Sequence, residues 1–221
     1  LLGQQIIVEN RPAGVIPAEI VARAKPDGYS LLVYGNNLWI GPYLRKVPYD
    51  PPKDFAPITL ISRAPNVLVV HPSLPVKNVM DLIKLAKARP GDLNYASGST
   101  GSSSHMAAEL FKFMAGVNIV WIPFRGAGPG NTALMSGEVQ LMFGTATAVT
   151  GHARAGRLRA LAVTSAQRSP LLPKLPTVAE SGLPGYETVA MYGFFAPGAT
   201  PAPIIEQLNK AAVQGLTNPD I

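Results

Sequence analysis

One short run carries most of the chemistry legible in this chain. Ser97-Gly98-Ser99-Thr100-Gly101-Ser102-Ser103 crowds hydroxyls and bare backbone N–H groups at the predicted start of a helix. First-turn amides lack intrahelical partners, and the helix macrodipole adds partial positive charge there, so the run suits an anion. A Gly/Ser tether shares this composition, but strand and helix signals abut the run on both sides and leave it too short to act as one. What the run lacks narrows the anion. A nucleotide-phosphate loop needs Lys after its second glycine, and Ser102 follows Gly101. A serine-hydrolase elbow needs G-x-S-x-G, which is absent.

Other candidate chemistry is thinner. Arg125-Gly126-Ala127-Gly128-Pro129-Gly130 misses the dinucleotide pattern, since Asn131 stands where the third glycine belongs and no acidic ribose partner follows. His71, His105 and His152 have no metal-ligand spacing, and there are no cysteines for a disulfide or a thiolate zinc site, so no metal is expected. Ser103 and His105 are close, yet no acidic residue orients that imidazole, which disfavours a hydrolase. The net charge is +6, but charged residues make up only 14% of the chain and the basic ones are scattered. A nucleic-acid protein needs a basic face interleaved with aromatics, and none is visible. The balance suits small acidic ligands. No apolar run approaches the ~20 residues of a membrane span.

The elements that must position these residues alternate between strand and helix, as in α/β folds with parallel sheets. A helix end at Leu1 and Leu2 precedes a strand over residues 6–8. A helix over 17–24 leads to a strand over 29–34 and the polar loop Gly35-Asn36-Asn37, at a strand's C-terminal end where such sheets bind ligands. Turn-rich residues 49–55 connect to strands over 58–61 and 67–70, interrupted at Pro65. Asn78 caps a helix over 79–89 whose apolar face is Val79, Leu82, Ile83 and Ala86. A strand over 93–96 enters the Gly/Ser run. In the helix beyond it Met106, Leu110, Phe113 and Met114 recur at helical spacing, and Gly116 supplies the stop. Strand 118–124, a short helix over 131–136, a strand through Val139, Leu141 and Phe143, and a helix beginning near Thr145 follow. After strand 158–165, a proline-rich excursion runs to Tyr186. A strand over 194–197 and an amphipathic helix over 202–216 close the chain.

Several stretches together resemble the Bug substrate-binding proteins, extracytoplasmic receptors of tripartite tricarboxylate transporters. They are Val8-Glu9-Asn10-Arg11-Pro12, Lys25-Pro26-Asp27-Gly28-Tyr29, Tyr49-Asp50-Pro51 and Lys53-Asp54-Phe55-Ala56-Pro57. Leu93-Asn94-Tyr95-Ala96-Ser97, Leu161-Ala162-Val163-Thr164-Ser165, Pro176-Thr177-Val178-Ala179-Glu180-Ser181-Gly182 and Tyr192-Gly193-Phe194-Phe195-Ala196-Pro197 continue it along essentially the whole chain. The resemblance implies a two-lobed periplasmic binding protein of type II-like architecture. Each lobe would be a mostly parallel sheet flanked by helices, with the ligand cleft between lobes. One lobe would hold residues 1–62 with 193–221, the other 63–192.

Carried over residue by residue, the resemblance implies that Asn36 and Asn37 line the ligand site from the first lobe. Ser97, Gly98, Ser99, Thr100, Gly101, Ser103, Arg125, Gly126 and Thr145 would line it from the second. His105 is expected to pack at its edge. The implied function is non-enzymatic: binding a di-, tri- or aromatic carboxylate, with no cofactor, as a periplasmic monomer that delivers it to membrane permease subunits. A solute sensor reporting to a signalling partner fits the same residues, and a hydrolase on the same scaffold is the remote alternative. The departures are specific. A PFAAGG-type loop is absent before Leu2-Gly3-Gln4, the Arg11-Pro12-Ala13-Gly14-Val15 run is short, and about one strand and one helix are absent beyond Ile221. These predict a chain truncated at both ends. Thr145 stands where the family often has Asp, which points away from an amino-acid ligand.

Overall fold

The computed structural model describes Gly3, residues 5–11 and residues 14–218. The expected helix end at Leu1 and Leu2 lies outside the described residues. The chain divides into two compact units, Leu1–Arg63 with Met191–Ile221, and Ala64–Ala190. In chain order the elements begin with α1 (Ile16–Ala22), β1 (Leu32–Gly35), α2 (Asn37–Leu44), the one-turn α3 (Pro51–Asp54) and β2 (Phe55–Val70). Then come α4 (Val79–Ala88), β3 (Asn94–Ser97), α5 (Ser103–Ala115), β4 (Val120–Pro123), α6 (Ala127–Ser136) and β5 (Leu141–Thr145). The last are α7 (Ala146–Arg154), β6 (Arg159–Val163), β7 (Val189–Pro197) and α8 (Ala202–Leu216).

In the first unit β1 pairs antiparallel with β7, Leu32 opposite Phe195 and Gly35 opposite Tyr192. Ala18, Val21, Leu32, Tyr34, Leu38, Tyr49 and Phe55 form its main core, where the Tyr49 and Phe55 rings meet edge to face at 5.6 Å. Helix α8 seats Leu208 against Ile58 and Ala196, and the Asn209 side-chain amide donates to the Ile58 carbonyl at 2.6 Å.

The second unit is a mixed sheet with helices on both faces. β3 runs parallel to β4 and β5, while β2 is antiparallel to β5 and β6. Side chains alternate along β2 as strand geometry requires. Leu68 and Val70 join α4 and α5 in one core, and Val67 and Val69 join α6 and α7 in the other. Asn78 caps α4, its Oδ1 accepting the Asp81 N–H at 2.8 Å, an arrangement typically stabilising by about 1 kcal/mol. All four residues expected on the α4 apolar face are buried. Among the described residues, parallel ladders join β3 to β4 and β5, and a single parallel bridge joins Val163 of β6 to Thr177.

Several expectations need correction. Residues 6–8 form no strand; Ile6, Ile7 and Val8 are exposed, and among the described residues none pairs with them. Asn36-Asn37 is not an open loop, because Asn37 begins α2. β2 is continuous through Pro65. Its ladder with β5 starts at Asn66 and with β6 at Val67, so the missing proline N–H falls just outside it. α6 begins at Ala127, four residues ahead of the expected start at Asn131. On α5 the buried face is Ala107, Ala108, Phe111 and Ala115, whereas Phe113 is 85% exposed. The small alanines let α5 lie close to Tyr95 and Phe143, and bulkier Leu110 and Met114 flank that contact, partly buried.

Candidate functional site

Four strands of the second unit end at one edge of its sheet. Ser97 ends β3, opposite Pro123 of β4, and Phe124 N–H donates to the Ser97 carbonyl at 2.9 Å. Thr145 ends β5, opposite Asn66 on β2. β6 ends at Val163, opposite Val67. Three helices start along this edge: α5 capped by Ser102, α6 entered through Gly126, and α7 entered through Thr145. Their first-turn N–H groups and dipoles therefore concentrate partial positive charge at one place. No acidic side chain occurs in 97–105, 124–130 or 144–151.

The Gly/Ser loop is pinned at almost every step. Ser97, 1% exposed, accepts from Trp121 Nε1 at 2.7 Å. Gly98 N–H donates to Ser104 Oγ at 3.3 Å, and Ser102 Oγ accepts from the His105 N–H at 3.4 Å. Gly101 has φ 78°, a conformation L side chains rarely adopt, and its N–H donates to His105 Nδ1 at 3.3 Å. That bond needs an unprotonated Nδ1, so His105 is neutral with its proton on Nε2. Its ring packs on Trp121 at 4.2 Å between centroids. Burial pushes the His105 pKa down, while Glu109 opposes that shift and Lys112 adds to it. The Glu109 carboxylate is taken up by Tyr95 at 2.6 Å and Lys112 at 2.7 Å. His105 is thus a packing and loop-bracing residue. Ser103 Oγ points to Asn66 Oδ1 at 3.4 Å, and neither group is arranged as base or nucleophile.

Of the expected residues, the structure brings Ser97, Gly98, Ser99, Thr100, Gly101, Ser103, Arg125, Gly126 and Thr145 to this edge. Arg125 is exposed, and Gly126 enters α6 at φ 114°. Thr145 Oγ1 lies 3.4 Å from Thr147 Oγ1. Asn36 and Asn37 belong to the other unit, at the end of β1. Asn36 Oδ1 accepts from Met191 N–H at 2.8 Å, which ties the start of α2 to β7. Sequence reasoning missed Asn66, Trp121 and Thr164. The signal for Asn66 was a lone amide opening the apolar run Val67-Leu68-Val69-Val70, which places it where a buried strand meets the sheet edge. No described group of three or more His, Asp or Glu side chains is arranged to hold a metal.

The chain matches, over residues 1–221, the family described as tripartite tricarboxylate transporter family receptor. It belongs to that family. It is 37% identical over 224 residues to the UPF0065 protein in the tcbD-tcbE intergenic region of Pseudomonas sp. (strain P51), covering 100% of this chain and 67% of that protein. Protein BugT of Bordetella pertussis is 37% identical, covering 95% of this chain and 66% of its own length. The chain thus spans about two thirds of the length of the curated relatives it matches. Among solved structures it is similar to R. palustris Rpa4515 with adipate (39% identity, TM-score 0.94, 99% of this chain and 75% of that one). MatC from Rhodopseudomonas palustris with bound malate gives 31% identity and a TM-score of 0.86, covering 93% of this chain and 71% of that one. This receptor family and these neighbours carry the α/β binding-protein fold that the chain adopts.

Proposed function

We propose that this protein is an extracytoplasmic solute receptor that binds a small organic carboxylate and delivers it to the permease subunits of a membrane transporter. The observation carrying the reading is the convergence of three helix N-termini and the hydroxyl-rich loop on one sheet edge whose loops lack any carboxylate. Such a place favours a carboxylate oxygen over a neutral or cationic group. Ser97 to Ser103, Gly126 and Thr145 supply its polar surface, Arg125 adds attraction from an exposed position, and Asn36 and Asn37 are the contacts proposed from the first unit. The binding uses no cofactor and no catalytic step. Adipate and malate in related receptors make aliphatic dicarboxylates the first ligands to test.

The test is thermal unfolding with adipate, malate, succinate and citrate, each beside its neutral amide. A ligand at ~100 times its Kd stabilises the folded state by about 2.7 kcal/mol. The reading expects an upward shift in Tm with at least one acid and none with its amide. Equal shifts with acid and amide, or no shift with any acid, would overturn it.

A further inference from the structure

Asn66 stands out at the candidate site because its polar atoms are unequally satisfied. The alternation along β2 places it on the α5 face, one step beyond Leu68. It is 0% exposed. Its backbone N–H donates to Thr164 Oγ1 at 2.8 Å, and its carbonyl accepts from the Thr164 N–H at 2.9 Å. Its side-chain Oδ1 accepts from Ser103 Oγ at 3.4 Å. Its Nδ2 is buried with no hydrogen-bond partner. Buried amide donors are nearly always bonded, and one left over at a binding surface asks for an acceptor.

Ser103 is the first residue of α5, so the Asn66 amide lies beneath that helix's first turn. The N–H groups of Ser103 and Ser104 there have no intrahelical acceptor by position. Through its contact with Ser103 Oγ, the Asn66 side-chain amide thus stands beside these main-chain donors at a positive helix end.

We propose that Asn66 is a ligand-binding residue whose Nδ2 donates to the carboxylate oxygen seated at the N-terminus of α5, with Ser103 holding Oδ1 so that Nδ2 faces the ligand. The inference rests on the carboxylate-receptor reading above. It adds a contact from the central strand, where the loops alone would not have located one. Asn66 is neutral, so it contributes a donor without a second fixed charge. An acidic side chain of the same shape at this position would repel the ligand.

The experiment measures adipate binding by calorimetry to the wild-type protein and to the Asn66→Asp and Asn66→Ser variants. In parallel, the side-chain amide resonances of wild-type Asn66, assigned by triple-resonance NMR, are followed through the titration. Losing one hydrogen bond to a charged group weakens binding by about 10- to 100-fold. Asn66→Ser is expected in that range, Asn66→Asp below it, and the wild-type amide resonances should shift as adipate saturates the site. If wild type binds while Asn66→Ser binds within twofold and the amide resonances stay still, the inference is overturned and the receptor reading stands. The NMR arm decides even if a variant fails to fold. If wild type binds none of adipate, malate, succinate and citrate, the receptor reading falls and takes this inference with it.

Discussion

Thr164 tests how the second unit is held where the chain enters and leaves it. The side chain is fully buried and uses its hydroxyl twice, accepting from Asn66 N–H at 2.8 Å and donating to the Thr188 carbonyl at 2.8 Å. Its own N–H and C=O bond the same two residues, to Asn66 O and from Thr188 N–H, each at 2.9 Å. Thr164→Val keeps the shape and the main-chain bonds but removes both hydroxyl bonds. It strands the buried Asn66 N–H and removes the donor to the carbonyl of half-buried Thr188. A neutral hydrogen bond contributes about 1 kcal/mol and a stranded buried group costs about 1–3 kcal/mol, so the total loss should be about 2–5 kcal/mol. At about 2–4 °C per kcal/mol for a chain of this size, Tm should fall by roughly 4–20 °C. Thr164→Ser keeps the hydroxyl and loses one methyl, costing about 1 kcal/mol. Urea denaturation followed by circular dichroism should order the proteins wild type, Thr164→Ser, Thr164→Val. A valine variant as stable as the serine variant would refute the assignment of stability to the hydroxyl bonds.

Two further outcomes follow from the same structure. The His105 pKa is lowered by burial, so the unfolded chain takes up the proton first. The stability tied to neutral His105 is present above about pH 6.5, the ordinary imidazole value, and is lost as pH falls below it. His105→Phe keeps a ring against Trp121 and should flatten the pH dependence of Tm between pH 5 and 6.5; an unchanged slope would assign that dependence elsewhere. In the first unit, a Cβ added at Gly198 would lie 2.0 Å from the Lys53 carbonyl oxygen. Gly198→Ala must therefore separate two backbone segments that share the Gly198 N–H to Asp54 carbonyl bond. It should destabilise by about 1–3 kcal/mol or more in chemical denaturation, and a midpoint equal to wild type would contradict that close approach.

Local signals were readable wherever chemistry and geometry agree within one element. Asn78 before an apolar-periodic run, Gly116 as a left-handed helix stop, and the bounds of α8 are of this kind. What could not be read depended on partners distant in sequence. Residues 6–8 have strand composition, but a strand exists only where another offers its edge. Pro65 reads as a break until the register shows that the ladder begins one residue later. The α5 face was misplaced because large apolar residues attract attention, whereas the packed face is built from alanines. The Ser97 to Ser103 loop was legible as an anion-favouring run. That Ser97 is gripped by Trp121, and Gly101 by His105, required tertiary contacts that no spacing encodes. Asn66 was overlooked for the same reason: its role depends on Ser103 and Thr164, far away along the chain.

The path of the chain through the two units also shapes how the protein can form. The first unit is assembled from Leu1–Arg63 and Met191–Ile221, so β1 meets β7 only after the chain has closed an excursion of about 130 residues. The second unit is continuous, so its contacts form without closing such an excursion. Once they have, the Thr164 bonds hold Asn66 beside Thr188, and the two segments that build the first unit emerge from neighbouring points. For the β1–β7 pairing, whose register joins Gly35 to Tyr192, the loop to be closed shrinks from about 157 residues to roughly 40, which lowers the closure cost by about 1 kcal/mol. Synthesis supplies the same order, since residues 64–190 are made before the part of β7 that pairs with β1 and before α8. The inserted unit thus templates the discontinuous one, and refolding should show native signals from Trp121 before those from Trp39.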